Sequence, residues 1–341
     1  MPDSGAPRGK GGKAGKASPS SSSSSSSSRA SSRAAAGRDA LGPDDPRRLG
    51  GYTLLRRLGE GGQGVVYLGR DGDGNPVSVK VLRGGRAAGQ RARARFVKEA
   101  AAARQVTGPH TARVLAADVA GDRPYIVSEF VEGPSLQRQV TEHGPLAGAR
   151  LRKVALRTAG ALATIHRAGI VHRDFKPGNV LLGPDGAKVI DFGIAQAPDS
   201  DTPLTTSPVG TPAYMAPEQI EDEPVGPPAD VFAWGATLVF AATGRPPFGT
   251  GPNAAVMRRI VSRPPDLGDL DGPLREAALR CLDKNPAARP TAPQLVRLLR
   301  NGAPSAKPAA PRRIPRYRWR MMVALAVVIP LGFVLGILVP T

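Results

Sequence analysis

Apolar and polar positions fall into two regimes along the chain. Short apolar-rich runs at 54–58, 65–68, 77–82 and 124–131 are bounded by glycines or by Asn75-Pro76, and this pattern predicts strands. A helical stretch at 90–106 interrupts them. Beyond residue 133 the spacing becomes helical, at 136–140, 149–168, 230–240 and 292–299. One hairpin breaks that second regime: apolar runs at 180–182 and 189–190 flank the turn Gly183-Pro184-Asp185-Gly186. Patterning starts near Tyr52. Residues 1–48 have none, being rich in Gly, Ser, Ala and Arg with an unbroken serine run at 20–28. Such a segment cannot bury enough apolar surface to offset its chain entropy, so disorder is expected there. It has no apolar h-region, so it is not a signal peptide.

Polar groups at the ends of these elements carry the chemistry. Residues 172–193 read HRDFKPGNVLLGPDGAKVIDFG, with Asp174 and Asp191 on either side of Lys176 and Asn179. Phosphoryl transfer needs such a set: one carboxylate to orient the attacking hydroxyl, another with an amide oxygen to hold Mg²⁺. Upstream, residues 59–64 read GEGGQG and join two predicted strands, with Val66 two residues on. Glycine lets backbone N–H groups approach a phosphate closely. Alone this fits a plain hairpin or a dinucleotide loop, but a strand rather than a helix follows, which argues against a Rossmann crossover. Lys80 lies inside an apolar strand, where a lysine is costly unless it meets an anion or snorkels outward. Glu99 is the sole carboxylate between Lys80 and Asp118, leaving one candidate pair.

In this order the motifs resemble the eukaryotic-type (Hanks-type) bacterial serine/threonine protein kinases, whose catalytic loop reads H-R-D-x-x-x-x-N before D-F-G. The resemblance covers residues 52–300 and implies an α+β, bilobal kinase fold with a β-rich N-lobe and a helical C-lobe. It implies that Gly59, Glu60, Gly61, Gly62, Gln63, Gly64, Val66, Ser78 and Lys80 bind ATP, together with backbone groups of Glu129 and Val131 at the hinge. Ser78 stands where the family usually has Ala, and Ser128 is the gatekeeper, small enough to leave the pocket behind it open. Lys80 then pairs with Glu99; Asp174 orients the substrate hydroxyl and receives its proton; Lys176 stabilises the transferred phosphoryl; and Asn179 and Asp191 hold Mg²⁺. The same resemblance makes residues 191–218 an activation segment ending in A-P-E, with Thr205 and Thr206 as phosphate acceptors facing Arg173. Thr211 is expected to support Asp174 and Lys176. Asp230 is expected to cap the catalytic loop, and Glu218 to pair with Arg289. Lys176 and the A-P-E segment favour protein Ser/Thr substrates. A pseudokinase scaffold and a small-molecule phosphotransferase are the rival readings, and the intact Lys80, Asp174, Asn179 and Asp191 argue against the first.

Composition adds the ends of the chain. The net charge is +19, of which residues 1–48 carry +5 and residues 300–320 carry +7. The excess sits largely in tails, which argues against a nucleic-acid-binding face. A single Cys, Cys281, excludes an internal disulfide framework, and His110, His143 and His166 lack metal-ligand spacing and read as structural. After the Pro/Ala/Arg linker 301–320, residues 321–339 form 19 positions without a charge. As a helix they span about 28 Å, close to the roughly 30 Å hydrocarbon core. Arg312, Arg313, Arg316, Arg318 and Arg320 precede them, so the positive-inside rule predicts a single-pass span with the kinase on the cytoplasmic face of the cell membrane, and 340–341 as a stub beyond it. Gly332 and Gly336 stand at the spacing that packs two helices, which predicts a homodimer suited to trans-phosphorylation.

Overall fold

The computed structural model describes residues 40–61, 64–82, 90–118, 121, 123–192 and 212–301, the side chains of 90–96 excepted. The chain divides into two units, Met1–Gly302 and Ala303–Thr341, and every described residue belongs to the first. The predicted span 321–339 therefore lies outside the described residues, as do Thr205, Thr206 and Thr211. Among the described residues no helix is long and apolar enough to cross a membrane.

The N-terminal lobe is an antiparallel sheet in the order β1-β2-β3-β4-β6-β5, built from β1 (Arg48–Leu49), β2 (Tyr52–Gly61), β3 (Gly64–Arg70), β4 (Pro76–Leu82), β5 (Val114–Asp118) and β6 (Tyr125–Glu129). Strand period sets what each face does. In β4, Val77 and Val79 are buried with Leu54, Tyr67, Tyr125 and Val127 in a small core of their own. Ser78 and Lys80 alternate with them and so project from the opposite face. Helix α1 (Gln90–Arg104) buries Ala100 and Ala103 in the larger core, against the same cluster as Val114 and Ile126.

The C-terminal lobe comprises α2 (Leu136–His143), α3 (Gly148–Arg167), the hairpin β7 (Val180–Gly183) and β8 (Gly186–Val189), α4 (Pro217–Ile220), α5 (Pro227–Thr243), α6 (Asn253–Ser262), α7 (Gly272–Cys281) and α8 (Ala292–Asn301). Helix α5 is buried continuously from Ala229 to Ala241. A helix apolar on all sides belongs at the centre of a core, and the other helices pack around it. Gly235 permits a close approach to α7: a Cβ there would lie 2.9 Å from the Cys281 Cβ. Thr158 of α3 accepts a hydrogen bond from Trp234 Nε1 at 2.8 Å, which satisfies the one polar atom of that indole.

The described structure reaches further upstream than the pattern predicted. Residues 40–48, assigned with 1–39 to a disordered tail, fold against the sheet: Ala40 bridges Arg56, Arg48 pairs with Thr53, and Leu41 and Leu49 pack on the small core. The disorder expectation averaged over 48 residues, and a short strap held by one buried acid, Asp45, leaves little mark in such an average. Residues 1–39 lie outside the described residues.

Candidate active site

The base of the site is a buried acid. Asp230, in the first turn of α5, is 1% exposed and accepts hydrogen bonds from His172 N at 2.7 Å and Arg173 N at 2.8 Å, with His166 Nε2 at 2.7 Å. These contacts hold Arg173 in the left-handed region, at φ 63°. A non-glycine residue costs roughly 1–2 kcal/mol in that conformation, so it persists where surrounding contacts enforce it. Gln219 adds another, donating Nε2–H to the Arg173 carbonyl at 3.1 Å. Burial pushes the His172 imidazole below its usual pKa, and its Nε2 lies 3.1 Å from the Ile190 carbonyl. The ring also meets Phe175 and Phe192 edge-on.

From that base the loop carries its polar side chains to one place. Lys176 Nζ contacts both Asp174 oxygens, at 2.8 and 3.0 Å, and Asn179 donates Nδ2–H to the Asp174 carbonyl at 2.8 Å. The single turn Pro177–Asn179 brings Asn179 beneath the loop, and the Asn179 carbonyl accepts from Ile190 N at 3.0 Å. This last bond ties the loop to the strand leading to Asp191, itself left-handed at φ 57°.

Asp191 closes the cleft from the other side by meeting Lys80 Nζ at 3.1 Å. Lys80 is 8% exposed, so its ammonium is largely withdrawn from water and a carboxylate within reach offsets part of that cost. A second ion pair, Arg173–Glu99 at 3.4 Å, joins α1 to the same loop.

On the nucleotide side, β2 and β3 form the glycine hairpin, with Gly59 opposite Val66 and Gly61 opposite Gly64; Gly62 and Gln63 at its tip lie outside the described residues. Gly64 has φ 150°, and a Cβ there would sit 2.0 Å from the Val81 carbonyl oxygen, so only glycine fits. Val66 faces Lys80 across β3 and β4, and Ser78 lies between Leu68 and Ser128. At the hinge, Glu129 N–H donates to the Arg113 carbonyl at 2.8 Å. The Glu129 side chain reaches Lys188 Nζ of β8 at 2.5 Å. Burial raises the Glu129 pKa, but the bonds from Lys188 and Arg113 N–H outweigh it and the net shift is downward. A cavity of about 20 Å³ lies behind Ser128, lined by Lys80, Ala112, Val114, Ile126, Ile190, Asp191 and Phe192.

The donors suit a hard cation. Asn179 Nδ2 is spent on Asp174, which leaves its amide oxygen as an acceptor, and an amide oxygen with the Asp191 carboxylate is a donor set that would fit Mg²⁺. Glu218 and Arg289 form a buried fork at 2.6 and 2.9 Å, with Arg289 also donating to the Asp283, Pro228 and Lys284 carbonyls, so the end of the activation segment is fixed to the lobe.

Some participants had no motif to reveal them. His166 was read only as structural, with no partner assigned, and Lys188 and Gln219 were not singled out. Lys188 does follow strand parity, alternating with buried Ala187 and Val189, which is the signal that points it toward the hinge.

A family model for the protein kinase domain matches residues 52–298, and the chain belongs to that family. It is 46% identical over 259 residues to a probable serine/threonine-protein kinase PkwA of Thermomonospora curvata, covering 76% of this chain and 35% of that one. It is 45% identical over 256 residues to the serine/threonine-protein kinase AfsK of Streptomyces coelicolor, covering 74% and 32%. The chain thus spans about a third of the length of these relatives. The crystal structure of Rad53 1–466 in complex with AMP-PNP shares the fold, with a TM-score of 0.60 at 23% identity, over 72% of this chain and 64% of that one.

The opening behind Ser128 yields a direct test. Bulky ATP-site inhibitors that extend past the gatekeeper should inhibit the wild type at least about tenfold more strongly than a Ser128→Met variant, whose longer side chain would fill the small space behind position 128, a difference of ~1.4 kcal/mol. Equal inhibition constants for the two proteins would show that ligands do not use this cavity.

Proposed function

We propose that the chain is a serine/threonine protein kinase that transfers the γ-phosphoryl group of Mg-ATP to Ser and Thr hydroxyls of proteins, its own activation segment included, as a step in signal transduction. The observation that carries this reading is the gathering of Lys80, Asp174, Lys176, Asn179 and Asp191 around one cleft, on elements more than 90 residues apart in sequence. In the reaction the acceptor oxygen bonds to the γ-phosphorus, the bond to the β-bridging oxygen breaks, and ADP leaves. Asp174 orients the hydroxyl and takes its proton, while Lys176 offsets charge on the phosphoryl oxygens. Asn179 and Asp191 would hold Mg²⁺, which would neutralise charge on the phosphates. Lys80 binds the α- and β-phosphates, the glycine hairpin covers them, and the hinge backbone at Glu129 and Val131 reads adenine.

Preference for Ser and Thr rests on Lys176 and on the names of the relatives. Control of the site rests on Arg173, whose guanidinium already contacts Glu99. A phosphate on Thr205 or Thr206 would compete for that guanidinium and order the segment. Full-length protein incubated with labelled Mg-ATP and a protein acceptor should transfer label to Ser and Thr, and Asp174→Asn should lower kcat by about 10²–10⁴. Equal transfer by the two proteins would defeat the kinase reading.

The membrane placement is part of the same proposal. Its support is the uncharged stretch 321–339 behind five arginines, with Gly332 and Gly336 as the surface for a homodimer. The full chain should stay in bacterial membranes through an alkaline carbonate wash. Val328→Arg with Val334→Arg should release it, each arginine costing about 2.5–3.5 kcal/mol at a helix centre. Wild-type protein found in the soluble fraction after the wash would contradict the anchor.

A further inference from the structure

A strap outside the family match reaches the phosphate-binding hairpin through Arg57. Asp45 lies before residue 52, where the kinase-domain match begins. Its side chain is 3% exposed, and all four of its recorded hydrogen bonds are accepted. Oδ2 takes Gly42 N at 2.7 Å and Arg57 Nε at 2.7 Å; Oδ1 takes Arg57 Nη2 at 2.8 Å and Tyr67 Oη at 2.7 Å. The first of these closes a turn in the strap, the next two grip β2, and the last reaches β3. The strap is also seated by backbone contacts, with Leu54 N donating to the Arg47 carbonyl at 2.9 Å.

The remaining prong of Arg57 points elsewhere. Its Nη1 donates to Glu60 Oε2 at 3.0 Å, and Glu60 lies within the glycine hairpin itself, between Gly59 and Gly61. Neither of those glycines would bring a Cβ within 4 Å of another group, so close packing does not fix this stretch of the hairpin as it does Gly64. A register shift falls between Arg57 and Gly59, where the hairpin departs from the regular sheet. The Arg57–Glu60 contact is exposed, with 45% of the Glu60 side chain accessible, and such a pair is weak when both partners must be ordered to form it. Here the guanidinium is already immobilised by Asp45, so that ordering cost is met in the free protein.

We propose that Asp45 is a positioning residue for nucleotide binding: through the Arg57 fork it presets the glycine hairpin over the phosphates of ATP, making the strap 40–49 a working part of the catalytic domain. The ionisation of the cluster agrees with this geometry. The Arg57 hydrogen bond, with others, holds the Asp45 carboxyl well below the usual carboxylate range, and burial together with Asp45 pushes the Tyr67 phenol up to about 12. The carboxylate is therefore charged wherever the protein is folded near neutral pH.

This inference rests on the reading of the hairpin as the phosphate cradle of a kinase, and the test separates the two. Affinities of the full chain for Mg-ATP and for adenosine are measured by calorimetry in wild type, Asp45→Asn and Tyr67→Phe. Asp45→Asn should weaken Mg-ATP by about three- to tenfold, as expected for losing one charge-assisted contact, and adenosine by less than about twofold. Tyr67→Phe removes a hydrogen bond to Asp45 but leaves the Arg57 fork; it should lower the melting temperature and leave the ratio of the two affinities unchanged. The proposal is overturned if Asp45→Asn binds Mg-ATP as wild type does, if it weakens both ligands equally, or if Tyr67→Phe shifts the ratio as much. A wild-type protein that phosphorylates no acceptor and binds no Mg-ATP would overturn the kinase reading and this inference with it.

Discussion

Everything in the site hangs from the carboxylate of Asp230. It is a charge placed in the first turn of an otherwise apolar helix, at the centre of the larger lobe, where an unpaired carboxylate would cost several kcal/mol. Two backbone N–H groups and an imidazole satisfy it, and the two backbone groups belong to consecutive residues of the catalytic loop. The loop's strained conformation at Arg173 is thus set by the need to satisfy a buried charge. Stability and catalytic geometry depend on the same hydrogen bonds.

From that anchor the polar groups are distributed by short, rigid elements. The turn Pro177–Asn179 delivers Asn179, hairpin β7–β8 returns the chain to Asp191, and Lys188 on the same hairpin clasps the hinge at Glu129. The Glu218–Arg289 fork fixes the far end of the activation segment to the helical lobe. Between these fixed points sit the ion pairs Lys80–Asp191 and Arg173–Glu99, each joining the N-terminal lobe to the C-terminal lobe.

Much of this was readable in residue order, for definite reasons. Strand parity in 77–82 places Lys80 opposite the buried valines, and the turn at 183–186 announces the hairpin that carries Asp191. The wholly apolar run after Asp230 marks the central helix. What was not readable depends on contacts distant in sequence. The Arg173–Glu99 contact joins residues 74 apart in sequence and depends on the placement of α1. Strand β5 reads VLAAD, with one β-branched residue, and no periodicity distinguishes it; α6 and α7 are likewise short and interrupted by arginines. Asp45 stands in a Gly/Pro/Arg-rich stretch, and only the fold brings Arg57 and Tyr67 around it.

The central claim is that one buried carboxylate sets the geometry of transfer, and kcat of an Asp230→Asn variant tests it most directly. The substitution keeps the side-chain size but offers one acceptor oxygen in place of two, leaving a loop N–H or His166 without its bond. Measured on folded protein, kcat should fall by at least about tenfold, equivalent to ~1.4 kcal/mol in the barrier, with the Mg-ATP dissociation constant unchanged within about a factor of two. Wild-type kcat in this variant would contradict the account.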